Sequence, residues 1–339
     1  MRCNLVKPRV KDYTLLIESI GTLLEQGRRQ AFHAVNSILV RTYWEIGKRI
    51  VEYESISDVS YGSKLFEKIA SDLKLKYGKG FSRSNVIYMR LLYFKYPKSQ
   101  TLSDQLSWSH YVELLGIEDA LERSFYEKQS INERWSLREL KRQIQSSLYY
   151  RLALSKNKKG VLALSKKGQI VNDARDIIKE PFVLEFLGLP DNYSEEEFEQ
   201  RIIDNLQMFL LELGKGFTFV SRQYRISIDN HHFYVDLVFY HRLLKCFVLI
   251  DLKISKITHQ DIGQMNLYLN YFKKEEANQE DNEPIGILLG TDKDKVVVEY
   301  ALGGITNKLF VSKYKLFLPD KEALEAQLKL SLRNKQQKD

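Results

Sequence analysis

The sequence predicts an α+β protein of two domains, an all-α, basic domain followed by a mixed α/β domain. Its 339 residues are enough for two domains of ordinary size. Apolar residues recur at helix spacing through the first 150 residues, whereas the second half has short apolar runs typical of strands lying between helices. We expect a helical domain over 1–150, a linker or hinge over 151–180 and the mixed domain over 181–339.

Helix-spaced apolar residues, bounded by glycine or proline, indicate a series of helices in the first half. Gly78 and Gly80 end the third helix, and Pro97 follows the fourth. The expected ranges are approximately 15–24, 31–53, 64–77, 83–96, 108–115, 117–129 and 137–148. The first half is therefore predicted to be entirely helical.

The third and fourth helices resemble a helix-turn-helix, although the turn over 78–82 is longer than usual. Between residues 61 and 98, nine Lys or Arg face only two acidic residues. Such a basic face suits DNA, and a basic face that is merely solvated is the alternative. Ser82 could act only as a helix N-cap. The residues expected to contact DNA are Lys74, Lys76, Lys79, Ser82, Arg83, Asn85 and Arg90.

Residues 152–168 consist of two similar short segments, LALSKNKKG and VLALSKKG. They are rich in Lys, Ser and Gly, and the doubling is too short for a structural repeat. This composition favours a linker or a weakly packed hinge between the domains.

The second half begins its regular structure at a capping box, in which Ser194 precedes Glu197 by three residues. The helix that it opens ends at Gly214. Strands are expected over 219–228, 233–240, 246–253, 285–290, 296–300 and 311–318, and helices over 259–273 and 321–332. The first three strands are separated by short turns, so they can pair as hairpins.

Charge and cysteine content restrict the function classes. Residues 1–160 carry 28 Lys+Arg against 17 Asp+Glu, and residues 161–339 carry 24 against 27. The excess positive charge therefore lies in the first half, which suggests a polyanion partner there. Cys3 and Cys246 are the only cysteines, too few for a disulfide or zinc framework. No apolar run has the length of a signal peptide or a membrane span, so a cytoplasmic protein without membrane contact is expected.

Two carboxylates and a lysine carry the chemistry in the strand region. Asp236 lies within an apolar strand, where an ionised carboxylate is costly unless it is neutralised. Asp251 and Lys253 end the next apolar run and share one face of it by strand alternation. If the two runs pair as a hairpin, Asp236 and Asp251 approach each other, and a divalent cation would remove their repulsion. Lys253 beside them could orient a nucleophile or stabilise negative charge on a phosphate.

Two helices could add to this group. Glu212 lies at the edge of the apolar face of the helix that precedes the sheet, although a surface salt bridge explains it equally well. Gln264 and Tyr268 are four residues apart and share a face of the helix that follows the third strand. That face could look back at the strand ends.

The order Asp236, Asp251-x-Lys253 and Gln264-x-x-x-Tyr268 resembles the PDDEXK nuclease superfamily, in its RecB-like branch. The segment from FLLELGKGF through FYVDLVFYHRLLKCFVLIDLK to GQMNLYLNYF is similar to the YhcG-like nucleases. In the first half, YWEIGKRI, YGKGFSRSNVIYMR, LSWSHYVELL and WSLRELKRQI resemble the N-terminal domain of that family. The resemblance thus covers nearly the whole chain and implies a restriction-endonuclease-like fold for the second domain.

The resemblance also implies roles for the site residues. Asp236 and Asp251, helped by the Leu252 carbonyl, would hold Mg²⁺, with Mn²⁺ as a possible substitute. Lys253 would position or activate the attacking water. Glu212 would support the metal or the water, Gln264 would orient the site or the DNA, and Tyr268 would lie behind these groups as a supporting residue.

Two positions depart from the family pattern. Val235 stands where the superfamily name has proline, a position that tolerates change, and Asp251 stands where most YhcG-like proteins have glutamate. Aspartate is one methylene shorter and is used in the RecB-like branch. The departure therefore bears on the rate of reaction more than on its chemistry.

The sequence as a whole predicts a Mg²⁺-dependent deoxyribonuclease acting in restriction-like defence or in DNA repair or recombination. The alternative is a catalytically inactive DNA-binding or regulatory protein on a nuclease-like scaffold; a third reading is a scaffold acting only through protein contacts. DNA is the expected partner, with a homodimer or a partner protein possible. A metal site at His231 and His232 is disfavoured, and Gly214-Lys215-Gly216 lacks a nucleotide-loop pattern.

Overall fold

The structure is a computed structural model that describes residues 10–56, 63–154, 156–293, 295–303, 305 and 308–336. Its contacts divide these residues into two units. The first comprises the described residues up to Arg123 together with Arg134–Leu137, and the second comprises Ser124–Glu133 together with the described residues from Arg138 onwards. The second unit therefore includes helices that the sequence assigns to the helical half.

Four helices form the first unit, with part of a fifth. They are α1 (Val10–Ile56), α2 (Ser63–Tyr77), α3 (Arg83–Lys95), α4 (Trp108–Leu115) and the beginning of α5 (Ala120–Glu133). The two helices predicted around 15–24 and 31–53 are one helix of 47 residues. Gly27 between them costs about 1 kcal/mol relative to alanine, which is too little to end a helix without a proline or a cap.

The predicted turn between α2 and α3 is confirmed. The Gly78 amide donates to Lys74 O as α2 ends, and Gly78 has a φ of 84°, in the left-handed region that glycine enters without strain. Ser82 caps α3, because its hydroxyl accepts a hydrogen bond of 3.2 Å from the Asn85 amide. Val86, Met89 and Leu92 of α3 are buried. The inner face of α3 thus belongs to the core of this unit.

Three further helices belong to the second unit: α6 (Leu137–Gln145), α7 (Leu148–Ala153) and α8 (Lys158–Lys167). The segment predicted as a linker is therefore largely helical. Asn157 caps α8, and Val161 and Leu164 on its inner face are buried. The Lys- and Ser-rich composition reflects the exposed face of this helix, so the linker interpretation is wrong over Lys158–Lys167.

A six-stranded mixed sheet forms the centre of the second unit, in the order β1-β8-β6-β4-β3-β2. β2, β3 and β4 pair antiparallel, whereas β4, β6, β8 and β1 run parallel. The strands are β1 (Phe182–Val183), β2 (Phe217–Ile228), β3 (His231–His241), β4 (Cys246–Leu252), β6 (Ile285–Gly290) and β8 (Lys308–Lys315). Two-residue strands β5 (Lys256–Ile257) and β7 (Asp292–Lys293) form a separate parallel pair.

Helices cover both faces of this sheet. The bounds are α9 (Glu195–Asp204), α10 (Leu206–Leu213), α11 (His259–Tyr271), α12 (Lys295–Leu302) and α13 (Lys321–Gln336). Phe198 and Phe209 of α9 and α10 pack on one face with Phe239. Met265 and Leu269 of α11 pack on the other face. Burial on both faces explains why the central strands β4 and β6 read as continuous apolar runs.

Two element predictions in this half differ from the structure. The helix that follows the confirmed capping box of Ser194 and Glu197 breaks at Asn205 into α9 and α10. The strand predicted over 296–300 is the helix α12. A short β-branched run does not distinguish a strand from a helix turn by periodicity alone.

Among the residues that the structure describes, no helix is both long enough and apolar enough to cross a membrane.

Candidate active site

Asp236 and Asp251 lie side by side at the end of the β3–β4 ladder. Leu237 pairs with Ile250 in the last register position, and the two aspartates are the next residues on their strands. The predicted hairpin is therefore confirmed, and it brings the two carboxylates into contact as expected. Asp251 is 3% exposed, and Asp236 is half-buried.

Each aspartate has its own hydrogen-bond donors. The Leu252 amide donates to Asp236 Oδ2 over 2.8 Å, so the backbone at Leu252 lies against this carboxylate. Lys253 Nζ lies 2.8 Å from Asp251 Oδ2, as their shared strand face predicts. The structure thus brings Asp236, Asp251, Leu252 and Lys253 into one group.

The electrostatics of this group are those of crowded, buried acids. Burial raises the pKa of Asp236, although the Leu252 amide and the Lys253 ammonium oppose that shift. Burial and the neighbouring Asp236 carboxylate raise the pKa of Asp251 to about 7, against the opposing effect of Lys253. Burial disfavours the charge on Lys253, but both carboxylates outweigh it and raise the pKa of the lysine. Lys253 therefore stays protonated, next to two carboxyl groups whose ionisation is disfavoured.

These donors fit a divalent cation. Hard cations such as Mg²⁺ prefer carboxylate and carbonyl oxygens, and a bound cation removes the penalty of two adjacent carboxylates. Within the described ranges, no cluster of three or more His, Cys, Asp or Glu side chains is arranged as a ready metal site. Two carboxylates and a backbone carbonyl with water would suit Mg²⁺, which usually keeps several of its waters.

Gln264 and Tyr268 interact with each other on α11. The Gln264 amide donates to the Tyr268 hydroxyl, which donates in turn to Tyr234 O over 3.0 Å. Tyr234 is two residues before Asp236, and the Tyr268 ring is fully buried while Gln264 is exposed. Tyr268 therefore supports the strand beside the site, and its hydroxyl holds the Gln264 amide.

Glu212 is not brought to this group. Its side chain is fully buried at the end of α10, where Oε1 lies 2.5 Å from Arg151 Nη1 and accepts from the Val183 amide at 3.0 Å. Arg142 lies 3.4 Å from Oε2, and Lys179 donates to the Glu212 carbonyl. Each of its oxygens is thus occupied by protein donors, so the catalytic assignment of Glu212 is not supported by its position.

A different acid of the preceding helices approaches the aspartates. Glu199 of α9 accepts a hydrogen bond of 2.5 Å from Gln223 Nε2, and the same nitrogen donates to Asp236 Oδ1 over 3.1 Å. Burial raises the pKa of Glu199. In the sequence, Glu199 could have been noticed because it lies next to Phe198 and near Ile202, two core residues of α9. No sequence pattern indicates Gln223.

An acidic cleft of about 560 Å³ opens in front of Asp236. It is lined by the first turns of α9 and by β2, through Glu195, Glu196, Glu197, Glu199, Gln200, Arg222, Gln223 and Asp236. Such a cleft attracts cations and repels a bare phosphate backbone. Contact with a polyanion at this place thus requires neutralisation by a cation.

The residues predicted to contact DNA lie in the first unit, and four of them have intramolecular partners. Ser82 caps α3. Asn85 donates to Gly80 O at 2.5 Å and accepts from the Trp108 indole at 2.8 Å. The Arg90 guanidinium lies 2.7 Å from a Glu54 carboxylate oxygen, with both side chains partly buried.

Arg83 lies 3.5 Å from the exposed Glu67 carboxylate, which leaves much of its side chain in solvent. Lys74, Lys76 and Lys79 are fully on the surface at the end of α2 and in the turn that follows. The exposed lysines, rather than Asn85 or Arg90, are therefore the groups placed to meet a polyanion.

Comparison with known families defines the class of protein. Residues 175–331 match the family described as the YhcG PDDEXK nuclease domain, and residues 19–151 match the DUF1016 N-terminal domain. The second half is thus a PDDEXK nuclease domain, and the predicted fold class is confirmed. Over 350 aligned residues the chain is 38% identical to the YhcG protein of Escherichia coli (strain K12), whose name calls it a nuclease provisionally. The alignment covers 93% of each chain. The chain belongs to the YhcG family.

Two solved structures resemble part of the chain weakly. A repair endonuclease from Pyrococcus abyssi is 20% identical, with a TM-score of 0.27 over 39% of this chain and 50% of that one. The EndoMS-dsDNA2 complex is 18% identical, with a TM-score of 0.28 over 39% of this chain and 48% of that one. Likenesses of this size carry no weight for the function.

Proposed function

We propose that this chain is a divalent-metal-dependent nuclease that hydrolyses DNA phosphodiester bonds, with Mg²⁺ as the ion and Mn²⁺ as a substitute. The observation that carries the proposal is the contact between Asp236 and Asp251 with Lys253 at 2.8 Å from the second carboxylate. The raised pKa values show that ionising both aspartates costs free energy in the metal-free protein. A bound cation would remove that cost, and the protonated lysine beside it could then act on the substrate.

The residues divide the work as follows. Asp236 and Asp251, with the Leu252 carbonyl, would hold the ion. The chemistry that a divalent cation would supply there is polarisation of the phosphate and a lowered pKa of water. Because the Lys253 ammonium stays protonated, it orients the attacking water or stabilises negative charge on the phosphate by donating hydrogen bonds. Gln264, which is exposed and contacts the Tyr268 hydroxyl, would orient the site or the DNA.

We further propose that the exposed lysines of the first unit contribute to DNA binding. The cleft itself is acidic, so attraction of the phosphate backbone has to come from other surfaces of the chain. A role in restriction-like defence or in DNA repair or recombination, a cytoplasmic location and a homodimer or protein partner belong to the same proposal.

A cleavage assay tests the nuclease. Supercoiled, linear and branched DNA, with RNA alongside, are incubated with Mg²⁺, Mn²⁺ or EDTA. Asp236→Ala, Asp251→Ala and Lys253→Ala should each lower cutting by roughly 100-fold or more, while circular dichroism shows retained folding. Asp191→Ala, an exposed aspartate of the same unit, is the matched control and should cut as the wild type does.

The outcomes separate the candidate functions. Equal activity in Asp236→Ala would contradict the assignment of the site. DNA binding without metal-dependent cutting in the wild type would favour the alternative, a catalytically inactive DNA-binding or regulatory protein. Cutting that appears only after a partner protein is added would favour a subunit role.

A further inference from the structure

We propose that the first half of α1 is a homodimer interface, at which two copies of the chain pair their α1 helices antiparallel along one apolar seam. The inference deepens the proposed function, because it names the partner as a second copy and gives the surface that binds it. It rests on the proposed function only for the use of the dimer. The seam consists of Tyr13, Leu16, Ile17, Ile20, Leu23, Leu24 and Gly27.

The seam is a large apolar face that lies open to solvent. Each of its six large residues is between 43% and 65% exposed. A Cβ on Gly27 would meet no described atom within 4 Å. Among the described side chains of α1, Val40 is the first that is buried, although the helix begins at Val10. Contiguous exposed apolar surface of this kind marks an interaction site.

The spacing of the seam is that of a helix that pairs with another helix. Apolar residues that repeat every seven positions form one line along a helix, and a partner helix buries that line by knobs-into-holes packing. Residues 13–27 span roughly 21 Å at 1.5 Å per residue. The pairs that lie seven residues apart are Tyr13 and Ile20, Ile20 and Gly27, Leu16 and Leu23, and Ile17 and Leu24.

The seam is symmetric about Ile20, which suits pairing with its own copy. The other members lie three, four and seven residues to either side of it. In an antiparallel pair centred on Ile20, Leu16 meets a second Leu24 and Tyr13 meets a second Gly27, and a two-fold interface requires this reciprocity. A parallel pair would instead crowd two tyrosines at one end and leave a gap between two glycines at the other.

No charge on the seam opposes this pairing. At 100° per residue, Glu18 and Glu25 lie roughly 140–160° around the helix from Ile20, so the acids of two paired copies face away from each other. Ser19 and Gln26 border the seam and are uncharged. Charged border residues commonly select a different partner for a helix, and the seam has none of these at the two positions.

The exposed area is sufficient for a reversible dimer. The exposed fractions of the six large residues leave on the order of 600 Å² per chain, so a pair buries about 1,200 Å². Stable, specific interfaces bury about 1,200–2,000 Å². Because the seam is at the lower end of that range, we expect a Kd on the order of 1 µM.

A dimer would serve the proposed reaction directly. Each chain carries one group of Asp236, Asp251 and Lys253, whereas duplex DNA has two strands to cut. A two-fold dimer supplies one such group for each strand. The interface itself does not depend on cleavage, so it can be tested in EDTA without DNA.

Ile20→Glu tests the interface in the full chain. Sedimentation velocity over about 0.1–100 µM protein should show the wild type changing from one to two chains per particle. The variant places two carboxylates against each other at the centre of the seam, so its Kd should rise by about 100-fold or more. Its circular dichroism should equal that of the wild type, because Ile20 is exposed in the single chain.

Thr22→Glu is the matched control. Thr22 is exposed and lies roughly 160° around α1 from Ile20, so the substitution adds the same charge to the same helix away from the seam. Its Kd for dimerisation should equal that of the wild type. Equal weakening in both variants would show that added charge, and not loss of the seam, opposes association.

Disulfide cross-linking tests the antiparallel arrangement. In a Cys3→Ser background Cys246 is the remaining cysteine, and it is buried. A mixture of Leu16→Cys and Leu24→Cys chains should give a cross-linked dimer of the two variants on mild oxidation. Leu16→Cys alone should stay largely uncross-linked, and its efficient self-linkage would overturn the antiparallel arrangement.

The outcomes separate this inference from the proposed function. A wild type that stays a single chain up to about 100 µM, or an Ile20→Glu variant that dimerises as the wild type does, would overturn the interface and leave the nuclease proposal standing. A dimeric wild type that cuts no DNA with Mg²⁺ or Mn²⁺ would overturn the nuclease and leave the interface standing.

Discussion

The ion pair of Lys253 and Asp251 only partly neutralises the negative charge of the candidate cation site. The lysine neutralises one carboxylate, but Asp236 remains beside it with its own charge. In the metal-free protein, a proton on the aspartate pair and the Lys253 ammonium group together reduce the repulsion between the two carboxylates. A cation that enters must displace the proton, so binding and ionisation are linked.

The pH dependence of stability should report this linkage. Because folding raises the pKa of Asp251 to about 7, the folded protein holds a proton that the unfolded chain has already released. The contribution of Asp251 to metal-free stability, at most a few kcal/mol, should therefore be lost as the pH rises from about 4 to about 7. Urea unfolding across this range measures the change.

Asp251→Asn is the control for that experiment, since it removes the ionising group and keeps the side chain's size. Its unfolding free energy should vary less with pH than that of the wild type. Above about pH 7, added Mg²⁺ should raise the unfolding free energy of the wild type but not that of the variant. An equal pH dependence in the wild type and in Asp251→Asn would contradict the raised pKa.

At the residue scale, the sequence predicts the positions of those site residues that strand geometry alone determines. Alternation placed Asp251 and Lys253 on one face, and the short turn between the apolar runs placed Asp236 beside them. Glu199 and Gln223 were missed because their approach depends on a bulge between Phe219 and Ser221 and on the left-handed φ of 47° at Gln223. Neither feature has a signature at those positions in the sequence.

At the scale of elements, α10 contributes an internal anchor. The carboxylate of Glu212 is buried among the Arg142, Arg151 and Lys179 cations, which belong to α6, α7 and the segment before β1. Burial alone would raise the pKa of Glu212, but the three cations outweigh burial and lower it. Glu212 is therefore ionised, and it holds together helices and sheet of the second unit.

Removal of this anchor should affect stability. Glu212→Ala removes the carboxylate that the buried Arg151 and Lys179 face, and one of the two carboxylates that Arg142 contacts, so it should lower the unfolding free energy by about 3–5 kcal/mol. Guanidinium unfolding of the metal-free chain measures the loss. Glu185→Ala is the matched control, because Glu185 pairs only with Arg142 among these cations and is partly exposed; it should cost less. A stable Glu212→Ala variant that has lost cleavage would instead support the catalytic assignment.

Helices and strands are predicted well where a capping residue or a clear periodicity of apolar residues marks them. The capping box at Ser194 and the turn after Tyr77 were confirmed because local hydrogen bonds determine both. The 158–167 helix was missed because its Lys-rich exposed face resembles a linker in composition. Burial of Val161 and Leu164 is a tertiary fact that composition does not contain.

At the scale of the whole molecule, the structure changes how the charge is divided. Over residues 1–123 and 134–137, the sequence range of the first unit, there are 20 Lys+Arg against 14 Asp+Glu, and the rest of the sequence has 32 against 30. The contrast between the halves of the sequence is thus reduced, because α6, α7 and α8 bring basic residues into the nuclease unit. Basic charge remains in excess in the first unit, where exposed lysines lie in the last turn of α2 and just after it.

Salt dependence should identify those lysines as DNA contacts. Each lysine that meets a phosphate adds about one to the slope of log K against log salt concentration. The triple variant of Lys74, Lys76 and Lys79 to Gln should therefore bind DNA more weakly at low salt, with a slope smaller by roughly 2 to 3. Fluorescence anisotropy with a labelled duplex in EDTA measures binding separately from cutting.

The control must match the loss of charge without touching the same surface. Lys158, Lys159 and Lys166 are exposed on α8 in the second unit, so their conversion to Gln removes the same three charges. If DNA binding depended only on the net charge of +8, both triple variants would lose affinity equally. If the lysines at the end of α2 and in the turn after it bind the backbone, only the first variant loses slope; a wild-type slope in both variants would place the DNA elsewhere.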